Sequence, residues 1–175
     1  VDCDSSPPLP EQVASWVGKP VICMDPVLVA EQGLWLNYCV AVEDRNQAYW
    51  DAVPGSEAGP IAPPAMLPSW VVDHDWHPDP GRDRKRTLEL HFLLKDELEL
   101  PFGVVVDVEL LFFRPVRSGD SLRAEQVLVE IGEQYQTRMG PGRRWTIAVH
   151  YYHRDNQLAG IQTLKFVSYR KEASL

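Results

Sequence analysis

The chain has 175 residues, 45% of them hydrophobic, which is enough for one compact domain with a real core and too little for two full domains. A formal net charge of -8 argues against nucleic-acid binding, which needs a positive face to displace counterions from phosphates. The charge is uneven: residues 1–80 hold 12 carboxylates against Lys19 and Arg45, whereas residues 81–175 hold 13 against 15 cations, so a phosphate-bearing ligand is expected at the second half or at a partner. Three cysteines (Cys3, Cys23, Cys39) without CxxC spacing provide neither a disulfide framework nor a zinc site, and they fit a reducing cytoplasm. No apolar run approaches the roughly 20 residues that span a bilayer, and the acidic, Pro-rich start VDCDSSPPLP is unlike a signal peptide, so no membrane association is expected.

Twelve of the 15 prolines lie before residue 81, which places irregular and helical architecture first. Residues 1–14 read as a mobile tail, with the domain starting near Trp16 and closing at residue 170, before a short tail over 171–175. The proline-free run Val27 to Val42 has helical spacing, with Val27, Ala30, Leu34, Cys39 and Val42 on the expected apolar face. It ends at EDRNQAYWD, where Asp44 and Asn46 are residue types that cap helices and build turns. In GPIAPPAMLPSWVV, Pro63 and Pro64 suit a first helical turn, with Met66, Leu67, Trp70 and Val71 as the apolar face. Pro68 kinks or shortens that helix, because an interior proline costs about 3 kcal/mol.

Residues 73–103 read as a polar loop with one short helix near Leu88 to Leu94. Its Asp73, His74, Asp75, His77 and Asp79 match no strong metal spacing, and no metal is expected. His150 and His153, three apart on a predicted strand, face opposite sides. From Val104 the period becomes two. VVVDVELLFF, LRAEQVLVEI, RRWTIAVHYYH and QLAGIQTLKFVSY predict four long antiparallel strands, with turns at SGD, GPGR and RDN. Helices followed by a strand meander define an α+β domain, with helix packed on one sheet face.

Four local patterns occur in order: YCVAVEDRNQAYWD, GPIAPPAM, FFRPVRSGD and HRDNQLAGIQTLKF. In that order and spacing the chain resembles the MaoC-like hot-dog dehydratases over residues 13–170, and most of all their N-terminal or non-catalytic half. The resemblance implies a hot-dog fold, a central helix wrapped by a curved antiparallel sheet. It also implies an enoyl-CoA hydratase or dehydratase role, with acyl-CoA as substrate and no cofactor. Family catalytic halves carry an Asp and a His in a pattern like GDxNPxH. Here Asp44 and Asn46 are retained, but Glu43 stands at the Gly, Gln47 at the Pro and Tyr49 at the His.

Hydrating a 2-enoyl thioester requires a base for water, an acid for the α-carbon, and donors for the enolate oxygen. Asp44, Asn46 and Tyr49 are the candidate catalytic set, but a tyrosine with an ordinary pKa of about 10 is a poor substitute for imidazole near neutrality. The family's catalytic halves start the central helix with His-Gly, whose backbone N–H groups meet the thioester oxygen. Pro63 and Pro64 stand there instead, and proline has no N–H. The expected role is therefore a non-catalytic subunit that shapes the acyl tunnel through Ala62, Pro63, Pro64, Met66 and Trp70, with Arg114 and Arg117 toward the pantetheine or phosphate arm. Its expected partner is a catalytic hot-dog chain, in a heterodimer or a dimer of heterodimers.

Rival readings are an acyl-CoA thioesterase using Asp44 or Glu57, a non-enzymatic acyl-thioester binding module, and a cupin-like metal enzyme. Arg82, Arg84, Lys85 and Arg86, with Arg143 and Arg144, read either as solvated loops or as contacts to CoA phosphates.

Overall fold

The structure is a computed structural model, and it describes residues 8–51, 59–74, 76, 78, 79, 81, 82 and 86–172. The elements in chain order are α1 (Glu11–Trp16), β1 (Pro20–Met24), α2 (Gln32–Val42), α3 (Gln47–Trp50), a 3-10 helix (Pro64–Val71), α4 (Glu89–Glu97), β2 (Phe102–Phe112), β3 (Arg123–Ile131), β4 (Tyr135–Thr137), β5 (Gly140–Tyr152) and β6 (Leu158–Tyr169). The four long strands expected from the two-residue period are β2, β3, β5 and β6. All strand pairs are antiparallel, in the order β1-β3-β5-β6-β2, with β4 a short addition to β5.

The strands after residue 104 do not form one continuous meander. β3, β5 and β6 are consecutive neighbours, but β2 pairs with β6 at the far edge rather than with β3. The SGD segment is therefore a turn inside a crossing loop and not a hairpin: Asp120 N–H donates to the Arg117 carbonyl, and the Asp120 carboxylate accepts from Arg117 N–H at 2.8 Å. The same turn holds Ala30, which donates to the Asp120 carbonyl and accepts from Gly119 N–H. That pairing explains why α2 starts at Gln32 and not at Val27: the backbone of residue 30 is bonded to the turn instead of to a helix.

One face of the sheet carries the core. Trp145, Ile147, Val149 and Tyr151 of β5 are buried, as are Leu164 and Phe166 of β6. Four helical pieces cover them. The buried residues of α2 are Trp35 and Cys39, spaced i,i+4, whereas Val27, Leu34 and Val42 of the expected apolar face are exposed. Packing also begins upstream of the expected start, because Val13 in α1 is fully buried.

The proline-rich segment forms a 3-10 helix. Pro68 sits inside it, and Leu67, Trp70 and Val71 are buried while Met66 is half-buried. Gly160 of β6 makes room for this helix, since a Cβ there would meet Leu67 Cδ2 at 2.5 Å and the Leu111 carbonyl oxygen at 2.6 Å. The 3-10 helix and α4 are two separate short pieces, and no single long helix is formed over this part of the chain.

From α4, Leu90, His91 and Leu94 are buried. The imidazole of His91 stacks on Phe166 with ring centroids 4.1 Å apart, and Trp145 Nε1 donates to its Nδ1 at 3.3 Å. A ring that accepts at Nδ1 is neutral with its proton on Nε2. Burial, with Lys95 as a second cause, pushes the His91 pKa down to about 4. The unfolded chain therefore binds a proton that the folded one refuses: the stability from His91 is full above about pH 6.5 and is lost as pH falls through about 4. The loss amounts to up to about 3 kcal/mol. Urea midpoints should fall over that window in the native chain and fall less in His91→Gln; equal pH slopes in the two would refute this.

Candidate active site and apolar pocket

Residues 43–50 form a fastened hook after α2. Glu43 caps the helix in the left-handed conformation, with φ 55° and ψ 35°, and its N–H reaches the Cys39 and Val40 carbonyls. Glycine takes this conformation without steric cost, and this is the position where the family pattern has its Gly. The chain then turns on Asp44, whose Oδ1 accepts from Asn46 N–H at 2.9 Å. Asn46 Oδ1 in turn accepts from Ala48 N–H at 3.2 Å and caps α3. Trp50 Nε1 donates to the Asp44 carbonyl, and Trp35 Nε1 donates to the Tyr49 carbonyl, both at 2.9 Å.

The structure therefore brings Asp44, Asn46 and Tyr49 together within one turn, but uses the first two to build that turn. Asp44 and Tyr49 are half-buried and Asn46 is exposed. The hook is joined to the next segment by Ile61 N–H donating to the Ala48 carbonyl at 3.0 Å.

That segment leads into the 3-10 helix through Ala62, whose N–H donates to the Val116 carbonyl at 2.8 Å. Pro63 is the N-cap residue and Pro64 the first helical residue. The first backbone N–H available after Ala62 is that of Ala65, so the helix start lacks two donors.

Beside this start lies a pocket of about 150 Å³, lined by Ala62, Pro63, Pro64, Leu67 and Trp70 on one side and by Phe112, Phe113, Arg114, Pro115, Val116 and Ala159 on the other. It contains five of the seven expected acyl-contact residues. Met66 does not line it, and packs on the core instead. Arg117 does not line it either: its guanidinium donates to the Gly59 carbonyl and its backbone bridges to Ile61, which ties the two walls together. None of Asp44, Asn46 and Tyr49 lines the pocket. The aromatic wall Phe112, Phe113, Pro115 and Val116 was not singled out from sequence, although it sits inside the FFRPV pattern; its signal was two adjacent aromatics at a strand end.

The lining is apolar, with two polar exceptions. Arg114 at the rim is paired with Asp155, Nη1 to Oδ2 2.5 Å, and holds that carboxyl below its ordinary pKa. The indole N–H of buried Trp70 has no hydrogen-bond partner among the described residues, and its ring meets Trp35 edge to face at 6.4 Å.

Other expected residues are engaged elsewhere. Arg82 pairs with Asp73 at 2.7 Å and Arg86 pairs with Glu89 at 2.8 Å. Arg143 is buried and donates to the Gly132 carbonyl, while Arg144 lies over the Tyr135 ring. His153 lies just past the end of β5 rather than on the strand, with Nδ1 3.6 Å from Asp120 Oδ2. No group of three or more potential metal ligands converges among the described residues. Glu57, Asp75, His77, Arg84 and Lys85 lie outside the described residues, as does Cys3. No helix among the described residues is long and apolar enough to cross a membrane.

An antiparallel sheet in the order β1-β3-β5-β6-β2, with helices packed against it, is the hot-dog fold. No family model matches the chain, and no curated protein gives a significant match. Solved structures do match. A chain of the ChsH1-ChsH2 complex from Mycobacterium tuberculosis superimposes with TM-score 0.72 and 21% identity, covering 94% of this chain and 92% of that one. A MaoC-like dehydratase gives TM-score 0.56 at 14% identity over 90% of this chain, which spans 43% of that longer one. The HadBC (3R)-hydroxyacyl-ACP dehydratase complex from Mycobacterium tuberculosis gives 0.54 at 17%, covering 83% and 94%. At these identities the likeness is one of fold.

Proposed function

We propose that this chain is the non-catalytic subunit of a MaoC-like enoyl-CoA hydratase or dehydratase, and that it forms one wall of the acyl site while a catalytic hot-dog chain does the chemistry. The observation that carries this reading is the pair Pro63 and Pro64 at the start of the 3-10 helix beside an apolar pocket. In hydration, water adds to the β-carbon of the enoyl thioester, a proton is delivered to the α-carbon, and the thioester oxygen carries negative charge in between. A helix start that lacks two of its N–H groups withholds those two donors from that oxygen. Asp44 and Asn46, whose side chains accept from their own backbone, are poorly placed to activate water.

The pocket lined by Ala62, Pro64 and Phe113 suits part of an acyl chain, which an apolar surface binds by burial. Arg114 at its rim is a cation on the side where a CoA arm would leave. The reading needs no cofactor besides the acyl-CoA substrate, and a cytoplasmic setting suits it. Two structural relatives, ChsH1-ChsH2 and HadBC, are complexes, which supports a heteromeric assembly here.

Enoyl absorbance tests the proposal. The purified chain alone should hydrate 2-enoyl-CoA at the buffer rate, and addition of its catalytic partner should raise the rate by at least about 10²-fold, the low end for positioned acid–base catalysis. Appreciable hydration by this chain alone would overturn the subunit reading, and thiol release from saturated acyl-CoA would replace it with a thioesterase.

A further inference from the structure

Trp70 lines the apolar pocket, is 2% exposed, and carries an indole N–H with no hydrogen-bond partner among the described residues. Other indoles of the chain are paired: Trp35, Trp50 and Trp145 donate to Tyr49, Asp44 and His91. A buried donor left without an acceptor costs free energy, and native proteins retain few of them. The ring is also held in place, edge to face against Trp35 within the 3-10 helix.

Water is a poor match for this donor. A buried water needs about two to four polar partners. Three carbonyls of the pocket walls already accept backbone bonds: Pro63 from Met66, Val116 from Ala62, and Ala159 from Phe113 and Arg114. The remaining lining side chains are apolar except Arg114, which is paired with Asp155. An oxygen carried in by an apolar ligand needs no partner besides Trp70, provided that it only accepts. A ketone meets that condition, whereas a hydroxyl brings a donor for which the lining side chains hold no acceptor. The volume of about 150 Å³ suits a six-membered ring, since an apolar protein cavity of about that size binds benzene.

We propose that the pocket takes a compact apolar group bearing a ketone oxygen, that this oxygen accepts from Trp70 Nε1, and that oxo-acyl groups are thereby preferred over hydroxy-acyl and plain hydrocarbon ones. The N–H lies below the pocket surface, so the oxygen reaches it through a side-chain adjustment of the kind that commonly accompanies binding. The inference rests on the acyl role proposed above for this pocket and adds the chemistry of the acyl group.

Three probes of similar shape test it: cyclohexanone, methylenecyclohexane and cyclohexanol, titrated into the native chain with isotope-labelled tryptophan and followed by NMR. Cyclohexanone should move the Trp70 indole proton downfield in a saturable way, and methylenecyclohexane should not. Cyclohexanol should bind more weakly than cyclohexanone. Trp70→Phe, which keeps an aromatic wall, identifies the Trp70 signal by its loss and should lower the affinity ratio of cyclohexanone to methylenecyclohexane about 2- to 10-fold, the value of one hydrogen bond. If that variant does not fold, methylation of no residue is needed: the one indole signal that responds to the ketone and not to the alkene decides in the native chain. The absence of such a signal, cyclohexanol binding as tightly as cyclohexanone, or an unchanged ratio in folded Trp70→Phe would overturn the proposal. No turnover is read, so the hydration assay decides the subunit role separately, and a chain that hydrates by itself while preferring the ketone would leave this inference standing.

Discussion

Trp35→Ala should remove about 3–5 kcal/mol of stability, the range for truncating a large buried aromatic. Trp35 is fully buried in α2, meets Trp70 of the 3-10 helix edge to face, and donates from Nε1 to the Tyr49 carbonyl. It therefore joins three pieces: α2, the hook that carries the degenerate motif, and the pocket wall. Truncation leaves a cavity, a carbonyl without its donor and a helix without its neighbour. Chemical denaturation should report the loss, and hydrogen exchange should show the 44–50 hook opening more readily than β5. A loss under about 1 kcal/mol would mean that the hook is held by its own turn bonds alone. Trp35→Phe separates the terms: it keeps most of the packing and drops the hydrogen bond, whose net value is about 1 kcal/mol.

A sizeable effect is also expected at Gln126→Leu, at about 1–3 kcal/mol, because the buried Leu90 N–H and the part-buried Thr87 carbonyl lose their partner. The N-cap residue of α4 is Leu88, which offers no side-chain cap. Gln126, fully buried on β3, supplies the cap from the sheet: its Oε1 accepts from Leu90 N–H at 3.0 Å and its Nε2 donates to the Thr87 carbonyl at 3.0 Å. Leucine has nearly the right volume and neither polar group. Amide exchange at Leu90 should accelerate more than the global stability loss explains, and Gln126→Glu, which keeps the acceptor, should recover part of that protection. Unchanged exchange at Leu90 would show that α4 is held by its apolar face alone.

Both residues show how the fold and site are divided between local and long-range information. The long runs rich in β-branched and aromatic residues after Val104 marked β2, β3, β5 and β6, because such side chains suit an extended, pleated backbone. They did not determine the strand order: β2 leaves its sequence neighbour β3 and joins β6, since register and partner are set by which apolar faces meet across the sheet. The start of α2 was misread because the pairing of Ala30 with Gly119 and Asp120, about ninety residues away, outweighs a helical spacing that continues back to Val27. β1 was missed, being short and begun by a proline.

At the candidate site, the sequence by itself determined the absence of two N–H groups at Pro63 and Pro64, because that follows from covalent structure whatever the fold. It also brought Asp44, Asn46 and Tyr49 to one place, since six consecutive residues cannot be far apart. Only the tertiary structure decided that Asp44 and Asn46 accept from their own backbone, that Arg114 lines a pocket with Phe113 while Arg117 ties two segments together, and that the β2 edge is left open. The division has a physical cause. A missing donor or a short-range turn is encoded in bonds and near neighbours, whereas a pocket wall and a sheet edge are made by residues that meet only when the chain has folded.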